Sequence, residues 1–116
     1  MPVIEIRTYR LKPGSRERFH ALVSQESLPL MQAWGTDVVR LGPSLHDADG
    51  YVLIRAYRDM SHLSTEQAAF YGSPAWRQGP REAIVSLIEA DLDAVMAMTP
   101  EQIEALRDGS AGLLDE

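Results

Sequence analysis

The stretch Ile6-Arg7-Thr8-Tyr9-Arg10 (IRTYR) returns almost unchanged as Ile54-Arg55-Ala56-Tyr57-Arg58 (IRAYR), forty-eight residues later in a chain of 116. Both copies alternate and are rich in β-branched and aromatic residues, so both read as strands. The first extends to VIEIRTYRL and is stopped by Lys12-Pro13-Gly14-Ser15, where Ser15 is placed to cap a helix beginning SRERFHALVSQ. Phe19, Leu22, Val23 and Leu30 recur at helical spacing and face a core, and Pro29 ends or kinks that helix. After Gly35, TDVVRLGPSL reads as a second strand, HDADG (46–50) as a turn, and YVLIRAYR as the third strand, the last two forming a hairpin. Gly42-Pro43 is a place for a bulge that would move Arg40 from one sheet face to the other.

DMSHLSTEQAAFYG follows the second phrase as another helix, capped by Ser61 or by Ser64 with Gln67 and stopped by Gly72. SPAWRQGP, punctuated by Ser73-Pro74 and Gly79-Pro80, predicts a short turn of helix carrying Trp76. REAIVSLIEADLDAVMAM suits either period: Ile84, Ile88, Leu92, Val95 and Met96 make a helical stripe, while Ala90, Leu92, Ala94, Met96 and Met98 alternate. Element order decides between them. Strand, helix, strand, strand, helix wants a final strand, so we read a short helix into Ile84 and a strand over about 86–98. Thr99-Pro100 opens one more helix, which stops at Gly109 before a loose tail.

The result is a ferredoxin-like βαββαβ protomer, α+β in class, with a four-stranded antiparallel sheet and an extra C-terminal helix. Residues 1–98 form the domain, and 99–116 the helix and tail. The repeated phrase marks equivalent strands, expected to be central, adjacent and parallel, with Arg7 and Tyr9 beside Arg55 and Tyr57. Ile4, Ile6 and Thr8, matched by Val52, Ile54 and Ala56, are expected beneath the helices. Glu5, Arg7, Tyr9, Tyr51, Leu53, Arg55 and Tyr57 then share the other face, joined from the last strand by Glu89, Asp91, Asp93 and Val95. A face this aromatic and this charged has to be covered.

The totals bound the function. A net charge of −6 with no basic run argues against nucleic acid, and no apolar stretch is long enough to cross a membrane. The charge is lopsided. Residues 1–58 hold eight Lys/Arg against six Asp/Glu, and residues 59–116 hold three against eleven. The opening MPVIEIRTYR has no signal-peptide pattern, so the expected address is cytoplasmic. Without cysteine there is no disulfide, thiolate nucleophile or Cys-based metal site. The three histidines, His20, His46 and His62, lack metal-ligand spacing, and HDADG has its glycine too early for a calcium loop.

The chain resembles the NIPSNAP family of the dimeric α+β-barrel superfamily. The resemblance is carried by Glu5-Ile6-Arg7-Thr8-Tyr9-Arg10-Leu11-Lys12-Pro13-Gly14, the Leu28-Pro29 step, YRDMSHLSTEQ in the second half, and Ser73-Pro74-Ala75-Trp76 where that family usually has DPEW. It spans about residues 3–98 and implies a homodimer in which an open sheet face packs against a second protomer to close a barrel. The segment from Thr99 onward is then an addition, a candidate dimer clasp. The superfamily contains cofactor-free monooxygenases, isomerases, haem-degrading enzymes and polyketide cyclases, and fold alone does not choose among them.

Several residues are candidates for a site. Arg7 and Arg55 can hold a carboxylate, phenolate or enolate with Tyr9 and Tyr57 donating hydrogen bonds, or can be neutralised by Glu5, Asp91 or Glu89 at a dimer interface. His62 is the acid–base candidate, since the resemblance implies such groups on or near the second helix, and a first-turn surface residue otherwise. Trp34 and Trp76, with Phe70 and Tyr71, line a pocket or fill a core. The expectation is thus a NIPSNAP-like small-molecule-binding or interaction protein, its ligand small and anionic or aromatic. The alternative is a cofactor-free enzyme of monooxygenase or isomerase/cyclase type, and neither requires a metal or cofactor.

Overall fold

The computed structural model describes residues 1–107. Four strands, β1 (Val3–Leu11), β2 (Asp37–Pro43), β3 (Gly50–Tyr57) and β4 (Ile88–Ala97), form one sheet in the order β2-β3-β1-β4 with every neighbour antiparallel. Helix α1 (Arg16–Leu22) runs through a π-helical turn (Val23–Ser27) into α2 (Leu28–Trp34). Helices α3 (Met60–Tyr71), α4 (Pro74–Arg77) and α5 (Arg81–Val85) link β3 to β4, and α6 (Pro100–Arg107) ends the described chain. This is the ferredoxin-like arrangement expected from the sequence. The expected stop at Gly109 and the tail lie outside the described residues.

Local chemistry accounts for most boundaries. Pro29 neither ends nor sharply breaks the helix: it sits in the first turn of α2, where its missing N–H is tolerated, and the widened turn before it carries the chain across. Gly35 then closes α2 at φ 97°, a conformation that favours glycine. Helix α3 is capped by Asp59, whose carboxylate accepts from the His62 N–H at 2.8 Å, not by Ser61 or Ser64. Asp59 wins because its backbone is extended and its oxygen reaches the third helical residue. The Thr99 hydroxyl accepts from the Gln102 N–H at 3.1 Å while the Gln102 side chain accepts from the Thr99 N–H at 2.9 Å, a reciprocal capping box for α6. The ambiguous segment is strand, paired along β1 from Val3↔Ala97 to Leu11↔Ile88. The register break in β2 falls between Val38 and Arg40, ahead of Gly42-Pro43.

Two expectations about the sheet itself are also corrected. The repeated phrases lie on adjacent central strands that run antiparallel, because β3 returns between β1 and β2. They therefore slide past each other: Arg7 faces Leu53, Glu5 faces Arg55, and Tyr9 faces Tyr51. The face assignment is also reversed. The residues divide by parity as expected, but the helices cover the face bearing Glu5, Arg7, Tyr9, Tyr51, Leu53 and Arg55, over which Phe19, Val23, Met31, Phe70, Trp76 and Ile84 form the main core. Large aromatic and sulfur side chains from the helices suit a sheet face of long polar and aromatic residues better than one of small aliphatic ones.

The aliphatic face is the one left open. Ile103 and Leu106 of α6 pack on Ile4, Val39 and Ala56 at one end, and Arg107 clamps Asp37 at 2.8 and 3.0 Å. Beyond α6, Leu92 is 76% exposed and Met96 55%. No described helix is long and apolar enough to cross a membrane.

Candidate functional site

Antiparallel pairing places Glu5 directly across from Arg55, and strand alternation puts Arg7 two residues along on the same face. Glu5 is 1% exposed. One of its oxygens accepts from Arg55 Nε at 2.9 Å and lies 2.7 Å from Arg55 Nη2, while the other accepts from Arg7 Nη2 at 2.9 Å. Arg7 also forks onto Asp93 of β4 at 2.7 and 3.0 Å. Two guanidiniums thus meet two carboxylates, Glu5 buried and Asp93 at the exposed edge, so that Asp93 rather than Asp91 or Glu89 completes the set.

Tyr71, at the end of α3, joins both arginines. Its hydroxyl oxygen accepts from Arg55 Nη1 at 2.8 Å and from Arg7 Nη1 at 3.3 Å. A phenolic oxygen has two lone pairs and one proton, so with both lone pairs engaged its O–H is left to donate into the space it lines. That space is a cavity of about 390 Å³ between sheet and helices. Arg7, Tyr9, Tyr51 and Leu53 floor it, Phe19, Val23 and Met31 roof it, and Tyr71, Trp76, Arg77 and Arg81 close one end. A mostly apolar chamber of this size with a few convergent polar groups matches small-molecule sites, which run from roughly 300 to 1,000 Å³.

Electrostatics keep these groups in defined states. Burial alone lowers the affinity of Arg7 for its proton, but the Asp93 hydrogen bond and the nearby Tyr71, Tyr9 and Glu5 outweigh it, so Arg7 stays charged. Burial pushes Asp93 up and the Arg7 hydrogen bond more than reverses this, holding its carboxyl below the usual range. Burial raises the Tyr9 hydroxyl well above its ordinary value, and pushes Tyr51, whose hydroxyl lies 2.6 Å from His20 Nδ1, up to about 12. Both remain neutral phenols at physiological pH.

The structure gathers some of the sequence-derived candidates and separates others. Arg7, Tyr9 and Trp76 line the cavity. Arg55 lies behind it, 1% exposed, and touches its lining through Tyr71 and Met31. Tyr57 is buried beside Val3 and Leu63, its hydroxyl accepting from Gln67 at 3.1 Å. His62 packs edge-on to Tyr57 and its Nδ1 accepts from the Arg58 N–H at 3.0 Å, so this imidazole serves the start of α3, beside a separate groove under α6, and does not line this cavity. Trp34 is 43% exposed and touches Phe70 from outside the cavity. Sequence reasoning missed Tyr71 as the group between the arginines, and Arg77 and Arg81 altogether. The only local signal for Tyr71 was its place beside Phe70 on the apolar side of α3.

No family model matches the chain, and no curated protein matches it. Solved structures do. A NIPSNAP domain protein from Burkholderia xenovorans superposes with a TM-score of 0.74 at 20% identity, covering 84% of this chain and 95% of its own. A NIPSNAP family protein of unknown function from Agrobacterium tumefaciens gives 0.75 at 24% identity over 85% and 92%. A candidate antibiotic biosynthesis monooxygenase from Nitrosomonas europaea gives 0.66 at 15% identity over 85% and 91%. The fold is therefore the one seen in NIPSNAP family structures, as the opening phrase suggested, and is shared with the monooxygenase-like structure.

Two tests follow from the charge network. Arg55→Leu leaves Glu5 buried with one of its two partners, so urea denaturation should show a loss of about 3–5 kcal/mol; a loss below 1 kcal/mol would contradict the assignment. Asp93 titrates lower in the folded chain than the ordinary value near 4. Its stabilisation is thus present above about pH 4 and is lost as pH falls through the folded value. Unfolding midpoints measured from neutral to acid pH should show this loss, and Asp93→Asn should flatten it; an unchanged acid slope would refute it.

Proposed function

We propose that this chain is a small-molecule-binding protein whose ligand occupies the cavity between the helices and the sheet. The observation carrying this reading is the coexistence of an open chamber of about 390 Å³ with a charge network whose ions are already paired with one another. Had the arginines served only to anchor a partner, their face would have no need of an empty chamber above it. Tyr71, Tyr9, Arg7 and Trp76 are the proposed contact residues, with Tyr71 donating to a carbonyl, phenol or enol oxygen and the aromatic rings holding a flat apolar body. Arg55 is proposed to act by positioning Tyr71. His62, Tyr57 and Trp34 are not part of this site.

One observation favours the cofactor-free enzyme reading. A phenol polarised by two guanidiniums in an apolar chamber is a preorganised donor for an oxygen that gains negative charge, as in enolate or phenolate chemistry. The likeness to a candidate monooxygenase is compatible with this but is a likeness of fold.

We further propose a cytoplasmic homodimer. The exposed Leu92 and Met96, on the sheet face away from the helices, support a second copy as the cover for that face, with residues 99 onward added to the 1–98 domain as a clasp at its edge.

Uncharged anilinonaphthalene, whose fluorescence rises in apolar sites, tests the cavity. The chain should bind it, and both Ser27→Trp (a buried wall position) and Val85→Trp (a half-exposed position at the mouth) should abolish binding. Dye that binds all three proteins equally would refute the reading. For the dimer, sedimentation equilibrium should give twice the mass of one chain, and Leu92→Arg should give the single-chain mass; a wild-type monomer would end that proposal.

A further inference from the structure

Inside the cavity no positive charge is left for an anion. Arg7 and Arg55 are engaged by Glu5 and Asp93, and a carboxylate entering there would have to compete with Asp93 for Arg7 or leave Glu5 buried without its full pairing. The mouth is different. Arg77 and Arg81 both line it, and among the described residues the Arg77 side chain makes no hydrogen bond or ion pair, its backbone N–H alone donating to the Ser73 carbonyl at 3.0 Å. Arg81 has only its chain neighbour Glu82 at 3.0 Å, an 87% exposed side chain whose screened pairing contributes little. Asp91 of β4 lines the same cavity, so with Glu82 the acids here equal the two arginines in number, and Arg77 is the cation that no ion pair meets. Low-dielectric walls beside uncompensated charge concentrate the field at such a rim.

The backbone between the two arginines is held firmly. Ser73 caps α4, its hydroxyl accepting from the Trp76 N–H at 3.3 Å and donating to the Phe70 carbonyl at 2.7 Å. A Cβ at Gly79 would stand 2.3 Å from the Ala75 carbonyl oxygen, so only glycine permits this close return of the chain before Pro80 opens α5. Both guanidiniums are thus carried on a fixed turn that also places Trp76 in the cavity wall.

We propose that Arg77 and Arg81 form an anion-recognition site at the cavity mouth, and that the ligand is an aromatic acid lying with its apolar body inside and its carboxylate or sulfonate outward. This rests on the reading that the cavity binds small molecules. It moves anion recognition from the Arg7/Arg55 pair, where sequence alone suggested it, to the rim. It also gives the ligand a direction: acid at the mouth, apolar body along Met31 and Trp76, any ring oxygen toward Tyr71.

The test compares two dyes that differ by one charge, anilinonaphthalene sulfonate and its uncharged parent, on the full chain and on the Arg77→Gln/Arg81→Gln double variant. Both substitutions are at the surface end of the site, and neither breaks a buried pair. The sulfonate should bind the wild-type chain more tightly than the parent, lose about tenfold or more in the double variant, and weaken with added salt. The parent should bind both proteins alike. Unchanged sulfonate affinity in the double variant, with the parent still bound and still lost in Ser27→Trp, overturns the anion site and leaves the binding reading standing. Failure of both dyes to bind the wild-type chain overturns both.

Discussion

A carboxylate shielded from water between two guanidiniums sets most of what this molecule is. Glu5 holds Arg55 across the strand pair and Arg7 along the strand, and Arg7 in turn holds Asp93 on β4, so three strands are tied by one neutral network under the helices. Burying Glu5 and Arg55, with Arg7 largely covered beside them, is costly, and the cost is offset only where each charge is met in good geometry. The return is positional. The arginines are held by their acids, Tyr71 accepts from both, and the chamber lies beside this set between helices and sheet.

Seen this way, the two faces of the sheet do different work. The face beneath the helices carries polarity that is cancelled internally and space that is not filled. The opposite face carries aliphatic side chains, Ile6 and Ile54 with Leu92 and Met96, with α6 over one end only. One face holds an unfilled chamber and the other a flat aliphatic surface, so the proposed ligand binding and the proposed self-association would draw on different residues.

How much of this was legible in the sequence varies with how local its cause is. Strand and helix order was legible, including β4, whose own periodicity fitted either state and which topology decided. The division of each strand into two faces followed from alternation. Which face the helices cover did not, since Arg7 and Arg55 look like solvent or interface residues until their partners are known. Those partners are remote: Asp93 is 86 positions from Arg7, and Glu5 is 50 from Arg55. The repeated phrase was a true signal of equivalent strands, but only antiparallel pairing reveals that it brings Glu5, and not Tyr57, to Arg55. Arg77 and Arg81 carry no motif. They matter because a glycine-dependent turn sets them at the edge of a cavity that exists only after packing.

Methionine offers the most direct test, because Met31 lies in the cavity roof and Met96 on the open sheet face. With methyl-labelled methionine, addition of uncharged anilinonaphthalene should shift the Met31 methyl resonance and leave Met96 in place. A shift of Met96 with Met31 unmoved would mean that apolar molecules bind the open sheet, and would contradict the cavity as the site.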